Sequence, residues 1–277
     1  MDPQIEIGRG SIVSMAPKKL RERIPELVEA MQRIADLEAL NQELETTNRT
    51  YMEMLGFVAH ELKNALASAV LSLYTVKDGY LGDITPAQMR SLESVARSLE
   101  DLQEMIRNYL DLSHLEGEIQ VARTYFPLNA RVIQPLLEEL EGQIQRRRMV
   151  VEHRIPEGKV VHADADLLKI VYRNLLTNAC KYGREGGTIR LEVQEDGQTV
   201  TLSVRNDGNG IAPDQMPLLF KRFSRLYNQE RPNQRGTGLG LYICRQIVEK
   251  HGGAIWADSQ MGEWVNFSFT LSKAEVA

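Results

Sequence analysis

The chain of 277 residues is long enough for two domains, or for one domain and an extended arm. Its composition, with 43% hydrophobic and 26% charged residues, is typical of a soluble globular protein. The formal net charge of −5 is spread along the sequence, which argues against a surface for nucleic acid or for membrane lipid.

The two cysteines and the lack of apolar runs indicate where the protein works. Cys180 and Cys244 belong to no CxxC motif or Cys/His cluster. We therefore expect both cysteines to be reduced and to lie in the core of a cytoplasmic protein. No apolar run is long enough to span a bilayer, and the N-terminus lacks the hydrophobic region of a signal peptide. We therefore expect no membrane segment in this chain. If the full protein is a membrane receptor, its membrane part lies outside these residues.

The N-terminal fifth of the chain predicts a linker followed by a coiled coil. Residues 1–17 carry prolines and glycines without a period and resemble a linker or a truncated end. A heptad-like apolar seam then predicts a parallel coiled coil over residues 18–50 that continues into the next helix. The alternative is one long monomeric helix packed on its own domain. The seam consists of Leu20, Ile24, Leu27, Met31, Ile34, Leu37, Leu40, Leu44, Thr47, Tyr51, Met54 and Val58.

The stretch from Phe57 to Leu66 predicts a helix with a polar group on its outer face. Apolar residues recur there at spacings of three and four, and His60 falls on the opposite side of the helix. Glu61 flanks the imidazole, and Asn64 lies one turn further along the same face. An exposed imidazole beside a carboxylate is a candidate nucleophile with its own base. The alternative is a surface histidine beside a solvating glutamate.

A second helix should follow after a short loop. Glycine at position 79 can end the first helix, and Thr85-Pro86-Ala87-Gln88 resembles a capping box. Two amphipathic helices joined in this way cannot bury both apolar faces alone, so two copies should pair into a four-helix bundle. This pattern predicts a homodimer. The apolar face of the second helix carries Met89, Leu92, Ala96, Leu99, Leu102, Ile106 and either Tyr109 or Leu110.

From about Gly117 onward the pattern predicts an α+β sandwich, in which helices cover one side of a mostly antiparallel sheet. Alternating apolar residues on either side of Asp196-Gly197 predict a β-hairpin. The other expected elements are helices over Pro135–Met149 and Asp166–Tyr182, and strands over Ala254–Ala257 and Val265–Leu271.

A first polar cluster lies on the predicted helix that ends at Tyr182. Asn174, Asn178 and Lys181 share one face within about 60°. Amide oxygens can bind Mg²⁺, and a lysine can meet phosphate. The alternative is a solvated face, although asparagine is a poor residue for the middle of a helix.

Two glycine-rich segments complete the set. Asp207-Gly208-Asn209-Gly210 follows a strand, where the aspartate could accept a hydrogen bond from an exocyclic amine; the alternative is a plain turn. Arg235 to Leu241 is a glycine-rich run that opens a helix, an arrangement suited to phosphate. Its spacing fits neither a Rossmann nor a Walker motif. The polar stretch between them, suited to a mobile lid, includes Phe220, Arg222, Phe223 and Arg225.

Taken in order, these motifs make the chain similar, over roughly residues 51–271, to the cytoplasmic part of a two-component sensor histidine kinase. The resemblance implies that His60 is the phosphoacceptor and Glu61 its base. It implies that Asn64 could orient water for phosphatase activity and that Arg225 is a lid arginine close to the transferring phosphoryl group. It further implies a homodimer, and an aspartate on the receiver domain of a response regulator as the phosphoryl acceptor.

The resemblance also implies ATP and Mg²⁺ as cofactors. Asn174 and Asn178 would hold Mg²⁺ and phosphate. The other nucleotide-binding positions implied are Lys181, Tyr182, Asp207, Gly208, Gly210, Gly236, Thr237, Gly238, Leu239 and Gly240.

On this reading, residues 1–17 precede a signalling coiled coil over 18–50, a phosphotransfer and dimerisation domain over 51–119, and an ATP-binding domain over 120–277. Two positions depart from the family: Ala65 stands where proline is usual, and Gly262-Glu263-Trp264-Val265 replaces a glycine-threonine pair. We expect the first to affect helix bending and the second to alter the last sheet contacts. The alternatives are a non-kinase ATPase of the wider Hsp90-type superfamily and a catalytically idle dimeric scaffold.

Overall fold

The computed structural model describes residues 18–116, 121–197, 199–224 and 237–272, with the side chains of 18–26, 52, 53, 114 and 116 left out. The chain forms two compact units, Met1–Met54 and Leu55–Ala277. The predicted linker over 1–17 and the predicted site residues Arg225 and Gly236 lie outside the described residues. Within the described part, no helix combines the length and apolarity needed to cross a bilayer.

Two long helices begin the described chain, as predicted. Helix α1 spans Lys18–Lys77 and helix α2 spans Pro86–Glu116. Gly79 after α1 has a φ of 81°, the left-handed conformation expected of a helix-ending glycine. Helix α1 continues without a break through Ala65, where the family usually has proline.

The capping box at the start of α2 is confirmed. The Thr85 backbone N–H donates to Gln88 Oε1 at 2.8 Å, and the Gln88 N–H donates to Thr85 Oγ1 at 3.3 Å. These reciprocal bonds satisfy two backbone donors that a helix start otherwise leaves unpaired.

The apolar seam of α1 is exposed in the single chain. Ile34, Leu37 and Leu44 are 55%, 65% and 60% exposed. Exposed apolar side chains continue into the second unit at Phe57, Val58 and Leu62. A stripe of this length on an isolated chain indicates a surface that another helix covers.

The remainder of the second unit is an α+β sandwich, as predicted. Its helices are α3 (Gln134–Arg146), α4 (Ala165–Tyr182) and α5 (Gly240–Lys250). A π-helical turn over Asn129–Ile133 precedes α3, and a 3₁₀ turn spans Met216–Leu218. The strands are β1 (Thr124–Pro127), β2 (Val150–Arg154), β3 (Val160–Ala163), β4 (Thr188–Asp196), β5 (Thr199–Asp207), β6 (Ile255–Gln260) and β7 (Trp264–Ser272).

A five-stranded sheet with the order β2-β4-β5-β7-β6 forms the floor of the sandwich. All its pairings are antiparallel except β2 with β4, which is parallel. Strands β1 and β3 make a separate antiparallel pair. Alternate residues of the central strands point into the core beneath α4 and α5, as the fully or almost fully buried Leu191, Leu202 and Phe269 show.

The structure corrects two predicted boundaries. The helix expected over Pro135–Met149 ends at Arg146, because Arg148 takes a left-handed φ of 52°. The strand expected over Ala254–Ala257 instead runs over Ile255–Gln260 and pairs with β7 up to the Gln260–Trp264 partners. Strands β1, β2 and β3 were not predicted.

A buried histidine ties the ends of α4 and α5 together. His251 is 2% exposed, and its Nε2 accepts the Asp164 N–H at 3.0 Å while Nδ1 lies 2.8 Å from the Ile247 carbonyl. The ring is therefore neutral, with its proton on Nδ1. Burial lowers the pKa of His251, and Arg123 adds to this effect, against opposing contributions from the Ile247 carbonyl and Asp164.

Candidate functional site

The imidazole of His60 is exposed on α1, as predicted. Its side chain is 68% exposed, and Nδ1 lies 3.5 Å from Glu61 Oε1 and 3.3 Å from Asn64 Nδ2. The contact with Glu61 requires a hydrogen on Nδ1 that is donated to the carboxylate, whereas the Asn64 amide donates to an Nδ1 without a hydrogen, so the two contacts favour different tautomers. Neither contact uses Nε2.

Asn174 projects from α4 toward the first residue of α5. The residue is 8% exposed, and its Nδ2 donates to the Ile170 carbonyl at 3.1 Å. A Cβ added to Gly240 would lie 2.7 Å from Asn174 Oδ1. Glycine at this position therefore lets the amide oxygen reach the N-terminal end of α5, where backbone N–H groups and the helix dipole favour an anion.

The loop before α5 is shaped by Gly238. This glycine has a φ of 68°, and a Cβ on it would lie 2.7 Å from both the Phe223 carbonyl carbon and the Ser224 oxygen. The loop therefore packs closely against the segment that precedes the undescribed residues. Phe223 itself has a φ of 59°, an unusual conformation for an aromatic residue. Thr237 Oγ1 accepts the Leu239 N–H at 3.2 Å, which turns the loop into the helix.

Asp207 is held at the end of β5 with one oxygen engaged. Its Oδ2 accepts the Thr188 N–H at 2.9 Å, and its backbone carbonyl accepts the Arg184 N–H at 2.7 Å. No hydrogen bond from another described residue reaches Oδ1, which can therefore accept a further one. The chain continues through Gly208, which bridges to Gly183 at the end of α4.

Gly210 lies close to the backbone of the turn between β6 and β7. It has a φ of 74°, and a Cβ on it would lie 2.6 Å from the Gln260 carbonyl. The turn between β6 and β7 is bonded to the same loop, because Gly262 N–H donates to the Asn209 carbonyl at 2.8 Å. The unusual segment beginning at Gly262 thus supports the loop that carries Asp207.

Lys181 and Tyr182 lie at the C-terminal end of α4. The Lys181 ammonium pairs with the Glu104 carboxylate of α2, and Tyr182 is 48% exposed. Arg147 clamps this end of the helix: Nε donates to the Cys180 carbonyl at 3.1 Å and Nη2 to the Gly183 carbonyl at 2.6 Å. Charge-assisted bonds of this kind satisfy the last carbonyls of a helix and oppose its negative end.

The amide oxygens at this site suit Mg²⁺ better than a metal ion that is coordinated entirely by protein side chains. The described residues contain no group of three or more His, Cys, Asp or Glu side chains placed to hold an ion. Asn174 and the half-buried Asn178 offer amide oxygens one turn apart on α4. Mg²⁺ is commonly bound through few protein oxygens, with waters and phosphates completing its shell, so these residues fit it.

Sequence reasoning missed a group of residues that join α2 to this site. Asn108 donates to Thr237 Oγ1 at 3.0 Å, and Glu104 meets Lys181. Glu139 of α3 is held between Arg107 and Arg173 at 3.1 to 3.2 Å. The sequence contains one indication of these contacts, namely that Asn108 is a polar residue on the amphipathic helix α2.

Comparison with known proteins gives separate family matches for the helical hairpin and for the α+β sandwich. A family model described as "His Kinase A (phospho-acceptor) domain" matches residues 51–118. Another, described as "Histidine kinase-, DNA gyrase B-, and HSP90-like ATPase", matches residues 163–275. The phosphoacceptor match ahead of the ATPase match argues against the alternative of a non-kinase ATPase.

The adaptive-response sensory kinase SasA of Synechococcus sp. (strain JA-3-3Ab) is 32% identical over 221 residues, which are 79% of this chain and 58% of that relative. The chain therefore spans little more than half the length of that protein.

Two solved structures share the fold. Full-length ShkA in complex with AMPPNP has a TM-score of 0.59 at 21% identity, over 81% of this chain and 47% of that one. ThkA in complex with the response regulator protein TrrA has a TM-score of 0.55 at 24% identity, over 86% and 67%. The order of the motifs, the fold and both family matches lead to one conclusion: the chain belongs to the two-component sensor histidine kinase family.

Proposed function

We propose that the chain is an ATP-dependent protein histidine autokinase that phosphorylates its own His60 and passes the phosphoryl group to an aspartate of a response regulator. The observation that carries the proposal is the exposed imidazole of His60 with Glu61 at 3.5 Å, in a chain that also has an ATPase module. An idle scaffold would have no need for an exposed nucleophile beside a base.

The contact between His60 and Glu61 assigns a role to each ring nitrogen. With Nδ1–H directed at the carboxylate, the lone pair lies on Nε2 and can attack the γ-phosphorus of ATP. The new N–P bond forms as the bond from phosphorus to the bridging oxygen of ADP breaks, and the Nδ1 proton passes to Glu61.

The nucleotide would bind between α4, the end of β5 and the start of α5. Asp207 would accept from the adenine amine, and the N-terminus of α5 would meet phosphate. Asn174 and Asn178 would hold Mg²⁺, which neutralises phosphate charge when bound. Arg225 and Gly236 remain predicted members of the site, together with Lys181, Tyr182 and the glycine loop.

Transfer of label from γ-labelled ATP tests the kinase directly. We expect acid-labile, base-stable label on the protein, and none on the His60→Gln variant, since phosphohistidine hydrolyses in acid. Lys63→Gln is a matched control on an exposed neighbour and should keep the label. Label that persists in His60→Gln would refute the assignment of the acceptor.

A phosphatase activity toward the phosphorylated regulator is proposed on the position of Asn64. Its amide lies within 3.3 Å of the His60 ring and is exposed, so it could orient water against a phosphoaspartate. Asn64→Ala should keep autophosphorylation and lose dephosphorylation. Equal loss of both activities would contradict this role.

A second copy of the chain is the proposed cover of the exposed seam on α1. An apolar stripe that runs from Leu27 to Leu62 is too long to leave in water. Light scattering should give twice the chain mass of 31.4 kDa. A monomer at micromolar concentration would contradict the homodimer.

The receiver domain of a response regulator is the proposed partner, in a cytoplasmic setting. The support is family membership and the solved complex of ThkA with a response regulator protein. Phosphotransfer profiling against candidate receiver domains would identify the regulator. Failure to transfer to any of them would count against this partner.

A further inference from the structure

Three segments of the chain meet at the end of the proposed nucleotide site that would hold the base. They are the α4 turn (residues 183–187), the Asp207 loop (208–210) and the β6–β7 turn (261–263). The first follows Tyr182 and the second follows Asp207, both of which are predicted members of the site. The β6–β7 turn carries no predicted nucleotide residue, so its influence on the site depends on what it is attached to.

Backbone hydrogen bonds join the Asp207 loop to the segment on either side of it. The Arg184 N–H donates to the Asp207 carbonyl at 2.7 Å, which attaches the α4 turn. The Gly208 N–H donates to the Glu263 carbonyl at 2.9 Å, which attaches the β6–β7 turn. Because main-chain groups make both bonds, neither depends on which side chains these positions carry.

The side chain of Arg184 joins the two outer segments directly. Its Nη2 donates to the Gly262 carbonyl at 2.7 Å. Arg184 therefore contacts the Asp207 loop through its backbone and the β6–β7 turn through its guanidinium, which closes a circuit of hydrogen bonds around the three segments. A charged donor strengthens such a bond, although the exposure of this arginine to water reduces its contribution.

The β6–β7 turn packs so closely on the Asp207 loop that the two segments should move together. A Cβ on Gly210 would lie 2.6 Å from the Gln260 carbonyl oxygen. The Ser259 hydroxyl accepts the Ile211 N–H at 2.8 Å and donates to the Trp264 carbonyl at 2.9 Å, so it bridges the loop and the start of β7. A displacement of the turn would therefore displace the loop.

The end of β5 is attached to the same turn through the sheet. Asp207 lies opposite Trp264 in the register of β5 with β7, and the Arg205 guanidinium lies 4.3 Å from the centre of the Trp264 ring. This cation–π contact holds the last residues of β5 against the first residue of β7. The position of Asp207 thus depends on the position of the β6–β7 turn.

We propose that Arg184 is a positioning residue for nucleotide binding. By holding the β6–β7 turn against the α4 turn, it fixes Asp207 relative to Tyr182 at the base end of the site. This inference rests on the proposed function, because it concerns the same nucleotide site. Arg184 acts on the protein and not on the reacting phosphoryl group, so its loss should weaken binding without slowing transfer from bound ATP.

Kinetics of label transfer to His60 test the proposal. Arg184→Met should raise the ATP concentration for half-maximal rate about threefold and leave the rate at saturating ATP unchanged, since it removes one hydrogen bond of ordinary strength. Arg184→Lys keeps a cationic donor and should restore most of the affinity. Arg131→Met, at another exposed arginine of the ATP-binding half, is the matched control and should change neither quantity.

Titration calorimetry with ADP and Mg²⁺ examines the base end alone. ADP carries the same base as ATP, so Arg184→Met should weaken ADP binding by the same factor of about three. Weaker binding of ATP with unaltered binding of ADP would overturn the proposal, because the arginine would then act on the γ-phosphate.

Two other results would also overturn it. One is an unchanged affinity in Arg184→Met, whether or not that variant is less stable in thermal unfolding. The other is a slower rate at saturating ATP with unchanged affinity. If Arg184→Met fails to fold, Arg184→Gln replaces it in both assays, and the same weakening of ATP and ADP binding is expected.

The same measurements separate this role from the proposed function. If the unaltered chain binds ADP and labels His60 but Arg184→Met does so equally well, only the positioning role fails. If the unaltered chain binds neither ADP nor ATP, the proposed function fails together with it.

Discussion

Gly238→Ala is expected to distort the loop before α5 and weaken nucleotide binding. A left-handed φ of 68° costs a non-glycine residue about 1–2 kcal/mol. The added Cβ would also lie 2.7 Å from two backbone atoms, which cannot rotate away as a side chain could. Overpacking of this kind costs about 1–3 kcal/mol, so the native loop becomes less favourable by about 2–5 kcal/mol in total.

Two measurements reveal where that free energy is lost. Urea denaturation reports any loss in the free energy of unfolding. Titration with a non-hydrolysable ATP analogue reports any loss in the free energy of nucleotide binding. A loss of about 1.4 kcal/mol in that free energy corresponds to about tenfold weaker binding. We expect the two losses together to reach at least about 2 kcal/mol.

Gly142→Ala supplies the matched control. Gly142 lies in the exposed middle of α3, and a Cβ there would meet no atom within 4 Å. Alanine should therefore stabilise the protein by about 0.5–1 kcal/mol and leave nucleotide binding unchanged. If Gly238→Ala matches Gly142→Ala in both assays, the account of the loop is refuted.

Three further predictions concern stability. Arg147→Ala should lower the free energy of unfolding by about 2–4 kcal/mol, because it removes two charge-assisted hydrogen bonds. Arg148 is exposed, so Arg148→Ala should change that free energy by less than about 0.5 kcal/mol. Equal effects of the two variants in urea denaturation would contradict the role of Arg147 as a clamp. Because burial lowers the pKa of His251 in the folded state, stability present above the ordinary histidine pKa of about 6.5 should be lost as pH falls through the lower folded pKa. His251→Gln should flatten that dependence in urea melts, and an unchanged slope would exclude this histidine as its source. Thr85→Ala should lower the free energy of unfolding in urea by about 1 kcal/mol, because it removes the N-terminal cap of α2. Circular dichroism checks that the helices of this variant are intact.

Local features of the fold were predictable from the sequence because they depend on neighbouring residues. The cap at Thr85, the glycine after α1 and the hairpin around Gly197 were all found where local chemistry favours them. The face shared by Asn174 and Lys181 follows in the same way from helix geometry.

The features that sequence reasoning missed depend on contacts between distant parts of the chain. Strand β2 pairs in parallel with β4 although β3 and α4 lie between them in the chain, and a strand as short as β2 carries little periodic signal. Arg147 lies at the end of its own helix α3, yet it caps α4, which begins 18 residues later in the chain. Likewise, the polar positions Glu104 and Asn108 acquire partners only once α2 has packed on the ATP-binding half.

The most direct test of the account is the position of the phosphoryl group after incubation with ATP and Mg²⁺. Peptides prepared at alkaline pH and analysed by mass spectrometry should carry the added phosphate on His60. Phosphate on any other residue, or an unmodified His60 in protein that demonstrably binds the nucleotide, would contradict it.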